Sequence, residues 1–313
     1  MEAHLEDTDF KAGLVALIGP PNAGKSTFLN TVIGEKISIV SPKPQTTRTQ
    51  ITGILTRDNF QIVFLDTPGI CEQRGKLNKF LLRSAFTGLE TADVVLLILD
   101  GSLYVQKEHL IEKEVSPIVA RLKAVQKPLL IAINKVDKVK NKNLLLPLTQ
   151  EILKYLPDQE FFYISAKLGA GCNELIARIV ELLPEGQMLY PPDQISTVPL
   201  RFLASELVRE KLFLYLQKEL PYSVAVEIID WQEDEELVKI MMTIYVSKES
   251  HKSIVIGHKG SMLKKVGTEA RKELEAMLNK KVYLDLWVKV KPKWTENESF
   301  LLALGLGKNE DFF

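Results

Sequence analysis

Two regimes of hydrophobic and polar patterning divide the chain. Up to residue 183, short apolar runs recur between amphipathic stretches. GLVALIG (13–19), ITGILTR (51–57), FQIVFLD (60–66), ADVVLLILD (92–100), the opening of KPLLIAINKVD (127–137) and FFYISA (161–166) read as strands. STFLNTVIG (26–34), residues near 76–90 and 104–126, LLPLTQEILKYL (145–156) and NELIARIVELL (173–183) carry helical spacing, with Gly34 as a stop. Asp58-Asn59 splits two strands as a hairpin turn. Strands alternating with helices predict a mostly parallel sheet covered on both faces, with one antiparallel edge strand. Residues 35–50 contain Pro42, Pro44 and a polar cluster, and read as a loop with some strand before it.

Beyond residue 183 the pattern changes. Pro184, Pro191, Pro192 and Pro199 punctuate a stretch without periodicity that reads as a linker. LRFLASELVREKLFLYLQKEL (200–220) is one amphipathic helix. VAVEIIDWQ (224–232) and ELVKIMMTIYVS (236–247) are strands joined by an acidic turn. SIVIGHKGSMLKKVGTEARKELEAML (253–278) is two helices around a glycine loop, and VYLDLWVKVK (282–291) alternates as a strand. The order α-β-β-α-α-β predicts a compact α+β module. FLLALGLG, after Trp294, reads as a closing helix too short to span a membrane. The expected organisation is a leader over 1–10, an α/β domain over 11–185, a linker over 186–199, the α+β module over 200–292 and a tail over 293–313.

Composition narrows the class without naming a partner. The 313 residues are 46% hydrophobic and 26% charged, as in soluble globular proteins, and 40 basic residues balance 40 acidic ones. Cys71 and Cys172 form no C-x-x-C pair, so neither a zinc site nor a disulfide framework is expected, and a reducing cytosol suits the chain. Cys71 reads as an incidental small residue. The acidic MEAHLEDTDF lacks a signal core. Charge is uneven, however. From Leu237 to Thr295 there are 13 Lys plus Arg against 5 Asp plus Glu, a local excess of +8 that fits a phosphate-backbone partner.

Chemistry concentrates at predicted strand ends. Gly19 to Thr27 reads GPPNAGKST, a phosphate-binding loop between a strand and a helix. Its glycines permit close backbone approach, Lys25 suits the β- and γ-phosphates, and Ser26 offers Mg²⁺ a hydroxyl. DTPG (66–69) places Asp66 for a Mg²⁺-bound water and the Gly69 N–H for a γ-phosphate. In NKVD (134–137), Asp137 can accept from the N1–H and exocyclic amine of guanine, a donor pair that adenine lacks, while Lys135 lies along the ring. Ser165-Ala166-Lys167 aims backbone N–H groups at the guanine O6. In QTTR (45–48), Thr47 can close on Mg²⁺ and the γ-phosphate. In the second module, Gly257-His258-Lys259-Gly260 joins two helices. Its glycines admit a nucleic-acid backbone, Lys259 adds charge, and Ile254 and Ile256 supply an apolar floor for bases, with Lys264 and Lys265 following. Lys289, Lys291 and Lys293 suit a solvated face, RNA or anionic lipid equally.

GPPNAGKS, QTTR, DTPG, NKVD and SAK together resemble the translation-factor-related class of small GTPases. SIVIGHKGSMLKKVG resembles the GxxG loop of a type II KH domain, and WVKVKPKW resembles the KH end of the Era family, a likeness running from about Gly13 to about Leu306. The resemblance implies an α/β P-loop GTPase domain with a mixed, mostly parallel sheet, followed by a smaller α+β type II KH domain. It implies GTP, GDP and Mg²⁺ as ligands and hydrolysis of GTP. It also implies binding of the 3′ end of 16S-type small-subunit rRNA and help in maturing the 30S subunit. A cytoplasmic monomer is expected, with peripheral membrane association in some members. The nucleotide set becomes Gly19, Pro20, Pro21, Asn22, Ala23, Gly24, Lys25, Ser26 and Thr27, then Thr46 and Thr47, then Asp66, Thr67, Pro68, Gly69 and Ile70, then Asn134, Lys135, Val136 and Asp137, then Ser165, Ala166 and Lys167. Lys25, Thr47 and Gly69 carry the catalytic expectation, and Ser26, Thr47 and Asp66 the Mg²⁺.

Ile70 stands where other GTPases place a water-orienting glutamine and has no polar atom. Related GTPases with an apolar residue there use K⁺, and Asn22 matches their K⁺-binding asparagine, with the loop around Thr46 beside it. Arg48 as an internal arginine finger competes with plain surface solvation. Two other readings stay open: a phosphotransferase on the same loop, which NKVD disfavours, and a non-catalytic RNA or membrane adaptor that only holds nucleotide.

Overall fold

The computed structural model describes residues 10–44, 46–70 and 75–306. They form two compact units. Of the described residues, the first takes 10–38, 47–70 and 81–197, and the second takes 39–44 with 46, then 75–80 and 198–306. Residues 1–9 of the leader expected over 1–10, Cys71 and the end of the tail fall outside the described residues.

The first unit is built on β1 (Lys11–Ile18), β2 (Ile51–Arg57), β3 (Phe60–Asp66), β4 (Val94–Asp100), β5 (Leu129–Asn134) and β6 (Glu160–Tyr163), in sheet order β2-β3-β1-β4-β5-β6. β2 alone runs antiparallel, because the two-residue join at Asp58-Asn59 leaves no room for a crossover. Every other connection carries a helix: α1 (Lys25–Ile33), α2 (Lys76–Thr91), α3 (Gly101–Tyr104), α4 (Leu110–Val125) and α5 (Leu145–Leu153), with α6 (Cys172–Leu182) after β6. Val94 to Leu99 is buried throughout, which explains why that strand lacks alternation. Ala16, Ile18, Val95, Leu97 and Ile133 pack on one face against Ala85, Leu89, Val115 and Ile118. On the other face Phe28 of α1 meets Phe64 edge-on at 5.9 Å.

Two expectations change here. The helix expected over 104–126 begins only at Leu110, and residues 101–104 form a separate turn whose start is capped by the Asp100 carboxylate, which accepts from Leu103 N–H (3.1 Å). No strand forms between residues 35 and 44. Instead Asn30 Oδ1 accepts the N–H groups of Ile37 and Ser38 (3.1 and 3.0 Å), so a side chain takes the role of a ladder partner. The proline-punctuated stretch is also fixed locally: Ile54 N–H donates to Ile195 O and Ser196 Oγ to Thr52 O along the β2 edge.

The second unit follows the expected order: α7 (Leu200–Tyr215), β7 (Ala225–Glu233), β8 (Leu237–Val246), α8 (Glu249–Ile256), α9 (Ser261–Leu278) and β9 (Lys281–Val290). α7 stops five residues short of its expected end. The sheet order is β7-β8-β9, with β9 parallel to β8. Val238, Ile240, Met242, Ile244, Val246, Val282 and Val288 face a core closed by Leu207, Leu212, Val266 and Leu274. Their odd-numbered neighbours Tyr283 and Trp287 are exposed, as period-two alternation requires. Trp294 is buried against Phe300 of α10 (Glu298–Ala303), and its Nε1 donates to Ser223 O at 3.1 Å. No helix among the described residues is long and apolar enough to cross a membrane.

Candidate functional site

Parallel strands end together, so the loops after β1, β3, β5 and β6 converge on one edge of the sheet. The loop after β1 turns through Asn22 and Gly24, both at positive φ (62° and 101°). A Cβ at Gly24 would lie 2.2 Å from Asn134 Nδ2, so only glycine leaves room for that amide. Lys25 is buried, and its Nζ donates to Gly19 O and Pro20 O at 3.0 Å each, which pins the ammonium over the loop.

Ser26, Thr47 and Asp66 come together. Ser26 Oγ donates to Asp66 Oδ2 at 2.6 Å and lies 2.9 Å from Thr47 Oγ1. Ser38 joins them by donating its hydroxyl to Asp66 Oδ2 at 3.1 Å. Sequence reading missed Ser38, which sits in no motif. Asp66 is wholly buried, and its Oδ1 has no hydrogen-bond partner. Burial pushes the Asp66 carboxyl above the usual carboxylate range, against the pull of Ser26, Lys25 and Ser38. An orphaned buried carboxylate oxygen beside two hydroxyls is a hard, oxygen-only donor set, and it fits Mg²⁺. No group of three or more His, Cys, Asp or Glu suited to a metal exists among the described residues. Gly69 is pressed against the loop, since a Cβ there would meet Pro21 Cα at 2.7 Å. Ile70 is buried in the core and donates its N–H to Gly19 O. Thr67, expected near nucleotide, turns its hydroxyl into the sheet toward Leu17 O (2.7 Å). Arg48 is 5% exposed, which corrects the expectation of surface solvation. Thr46 lies in the second unit, its hydroxyl 2.7 Å from Ser41 Oγ and 2.8 Å from Lys43 O.

Asn134 ties three loops together. Its Nδ2 donates to Ala23 O at 2.8 Å, and its Oδ1 accepts from Lys135 N–H and from Ala166 N–H at 2.9 Å. The Ala166 N–H, expected to face a purine O6, is therefore given to this side chain. Lys135 Nζ donates to Asn22 O and pairs with Asp100 at 2.6 Å. Asp100 also escaped the sequence reading, since a strand-end aspartate before a helix looks like a cap alone. Asp137 is exposed, and its Oδ1 accepts from Ser165 Oγ at 2.7 Å. That leaves the other carboxylate edge aimed outward. Val136 is half-buried and Lys167 exposed.

In the second unit Gly257 (φ 74°) and Gly260 (φ 77°) bracket the exposed His258 and Lys259 between α8 and α9. Ile254 is 51% exposed, whereas Ile256 packs into the core, so the apolar floor is Ile254 alone at its outer edge. Lys264 is exposed. Lys265 is exposed too, with its ammonium stacked 3.9 Å over the Tyr215 ring. Lys291 similarly lies 3.6 Å over Phe300.

Fold and loop geometry together place the first unit among the P-loop GTPases and the second among KH modules. A 50S ribosome-binding GTPase family model matches residues 14–135, and a KH domain model matches 219–295. The GTPase Era of Nitratidesulfovibrio vulgaris (strain DSM 19637 / Miyazaki F) is 50% identical over 301 residues, 96% of this chain and 98% of its own. That of Mesorhizobium japonicum is 44% identical over 296 residues, 94% of this chain and 93% of its own. Among solved structures, Era in complex with MgGDPNP and nucleotides 1506–1542 of 16S ribosomal RNA is 40% identical, with a TM-score of 0.89 over 96% of this chain and all of that one. A point variant of Aquifex aeolicus Era bound to GDP·AlF₄⁻ gives a TM-score of 0.88 at 40% identity, also over 96% of this chain and all of that one. The chain belongs to the Era GTPase family.

Proposed function

We propose that this chain is a GTP-hydrolysing switch that binds the 3′ end of small-subunit ribosomal RNA and assists maturation of the 30S subunit. The observation that carries it is the meeting of Ser26, Thr47 and the buried, half-unpartnered Asp66 beside Lys25. Lys25 neutralises the β- and γ-phosphates, and the Gly69 N–H faces the γ-phosphate. Ser26 and Thr47 offer hydroxyls to Mg²⁺, with Asp66 behind them; what Mg²⁺ supplies there is charge neutralisation. Asp137 reads guanine through its outward edge. The buried Ile70 orients no water, so transition-state charge must be met otherwise, and Asn22 is assigned to K⁺. The GHKG loop and Ile254 take the RNA backbone and a splayed base. The support from relatives is that Era has been solved with both MgGDPNP and nucleotides 1506–1542 of 16S ribosomal RNA. The chain acts in the cytoplasm as a monomer. Exposed Lys289 beside Trp287 suits a peripheral hold on the anionic inner membrane face.

The test is calorimetric titration with GTP, GDP and ATP in Mg²⁺, followed by titration of a 3′-terminal rRNA oligomer into each guanine-nucleotide form. GTP and GDP should bind, ATP should not, and RNA affinity should differ between the two forms. Preference for ATP, or RNA affinities equal in GTP and GDP, would overturn the reading. Phosphate release without dependence on K⁺ in both the parent and Asn22→Ala would remove the K⁺ assignment.

A further inference from the structure

α1 carries Ser26 and Asn30 one turn apart on one face, and each reaches Asp66 by a different route. Ser26 donates its hydroxyl to Asp66 Oδ2 directly. Asn30 works through the chain after Gly34. Its Oδ1 accepts the N–H groups of Ile37 and Ser38 at 3.1 and 3.0 Å, and its Nδ2 donates to Ser38 O at 2.7 Å. One amide thereby clamps both backbone groups of Ser38. Ile37 adds an apolar anchor: it is buried, and a Cβ at Gly53 of β2 would lie 2.7 Å from its Cδ1. Ser38 is 2% exposed, and its hydroxyl donates to Asp66 Oδ2 at 3.1 Å. All of these residues belong to the first unit.

The bonds on Asp66 are unevenly shared. Oδ2 receives two hydroxyls, while the buried Oδ1 receives none. A carboxylate placed for stability alone would spread its donors over both oxygens, since a buried acceptor without a partner costs free energy. Two donors converging on one oxygen from different segments instead fix the carboxylate plane and keep the other oxygen in reserve. Ser26 alone does not achieve this. A single bond leaves the carboxylate free to turn about χ2, whose profile is broad. The Ser26 hydroxyl is itself offered to Mg²⁺, whereas Ser38 carries no such second duty.

We propose that Ser38, braced by Asn30, is a positioning residue of the GTPase site. It holds Asp66 Oδ2, so that Oδ1 is the oxygen left for Mg²⁺, and it thereby sets how strongly nucleotide binding responds to the metal. The inference rests on the reading above of Ser26, Thr47 and Asp66 as the Mg²⁺ site. It is tested in the full chain with Ser38→Ala, Ser38→Thr and Asn30→Ala, the last a substitution that suits an α-helix. The readouts are calorimetric GDP titration at graded Mg²⁺ and in EDTA, and amide exchange at Ile37 and Ser38 without nucleotide. Ser38→Ala should raise half-saturating Mg²⁺ about tenfold, while GDP affinity in EDTA stays within about twofold of the parent. Ser38→Thr keeps the donor and should recover most of the loss. Asn30→Ala should speed exchange at the two amides about tenfold and raise half-saturating Mg²⁺ roughly threefold. Parental Mg²⁺ dependence in Ser38→Ala, or an equal loss of GDP affinity with and without Mg²⁺, would overturn the proposal. If Ser38→Ala does not fold, Asn30→Ala decides by the same comparison. A parent whose own GDP affinity is equal in Mg²⁺ and in EDTA would instead sink the reading of the Mg²⁺ site, and the positioning role with it.

Discussion

Asp66 shows how a single carboxylate can be costly to the fold and useful to the site. Burial favours its protonated form, so its folded-state value lies above the ordinary 3.8. Its contribution to stability is therefore held at low pH and lost as pH rises through the ordinary value toward the raised one. Asp66→Asn keeps an acceptor for Ser26 and Ser38 but removes the charge. Without Mg²⁺ it should melt about 2–4 °C above the parent near pH ~7 and lose that advantage near pH ~4. Mg²⁺ with GDP should stabilise the parent and not the variant. Thermal melts at the two pH values check this, and an advantage equal at both would contradict the burial argument. Asp66 was legible because a phosphate site is built from short contiguous motifs. Ser38 and Asp100 were not, since each acts through a partner distant in sequence and neither sits in a recurring word.

Elements were read well where periodicity decides and poorly where a side chain intervenes. The buried run of β4 and the alternation of β9 identify their environments directly. The separate turn α3 is capped by Asp100 and the missing strand before β2 comes from Asn30, side chains that replace backbone partners; hydrophobic period carries no trace of that. The α8–α9 connection separates two glycines that look equivalent in sequence. A Cβ at Gly257 would lie 2.7 Å from Met262 Cβ and 2.8 Å from its N, whereas Gly260 has nothing within 4 Å. Gly260→Ala should cost about 1 kcal/mol, from positive φ alone. Gly257→Ala adds a backbone clash and should cost about 1–3 kcal/mol more, with a loss of at least about tenfold in RNA affinity as the loop shifts. Melting and fluorescence anisotropy with an rRNA oligomer measure both, and equal effects of the two substitutions would refute the distinction.

At the scale of the whole molecule, neutral total charge conceals a chain of unlike halves. The +8 excess between Leu237 and Thr295 belongs almost entirely to the second unit's sheet and helices. Neutralising about five phosphates of a single strand gives a log–log salt slope of about −3.5, so doubling salt from ~0.1 to ~0.2 M should weaken oligomer binding roughly tenfold. Nucleotide affinity, held by buried Lys25 and by neutral donors, should change less than about twofold over the same range. Filter binding at the two salt concentrations tests this, and parallel losses for RNA and nucleotide would argue against separate electrostatic footprints.

Asn134 has a consequence for how base preference can drift. Its amide is shared between Ala23 on the phosphate side and Ala166 on the base side, while Thr31 Oγ1 steadies Ala166 from α1 at 2.6 Å. Any replacement there unfastens both ends of the ligand cradle at once, so selection for a new nucleobase meets a barrier at this position. Asp137, exposed and anchored through Ser165, can change its chemistry while the phosphate side keeps its shape. Retuning toward another purine is open at the rim and closed at the keystone.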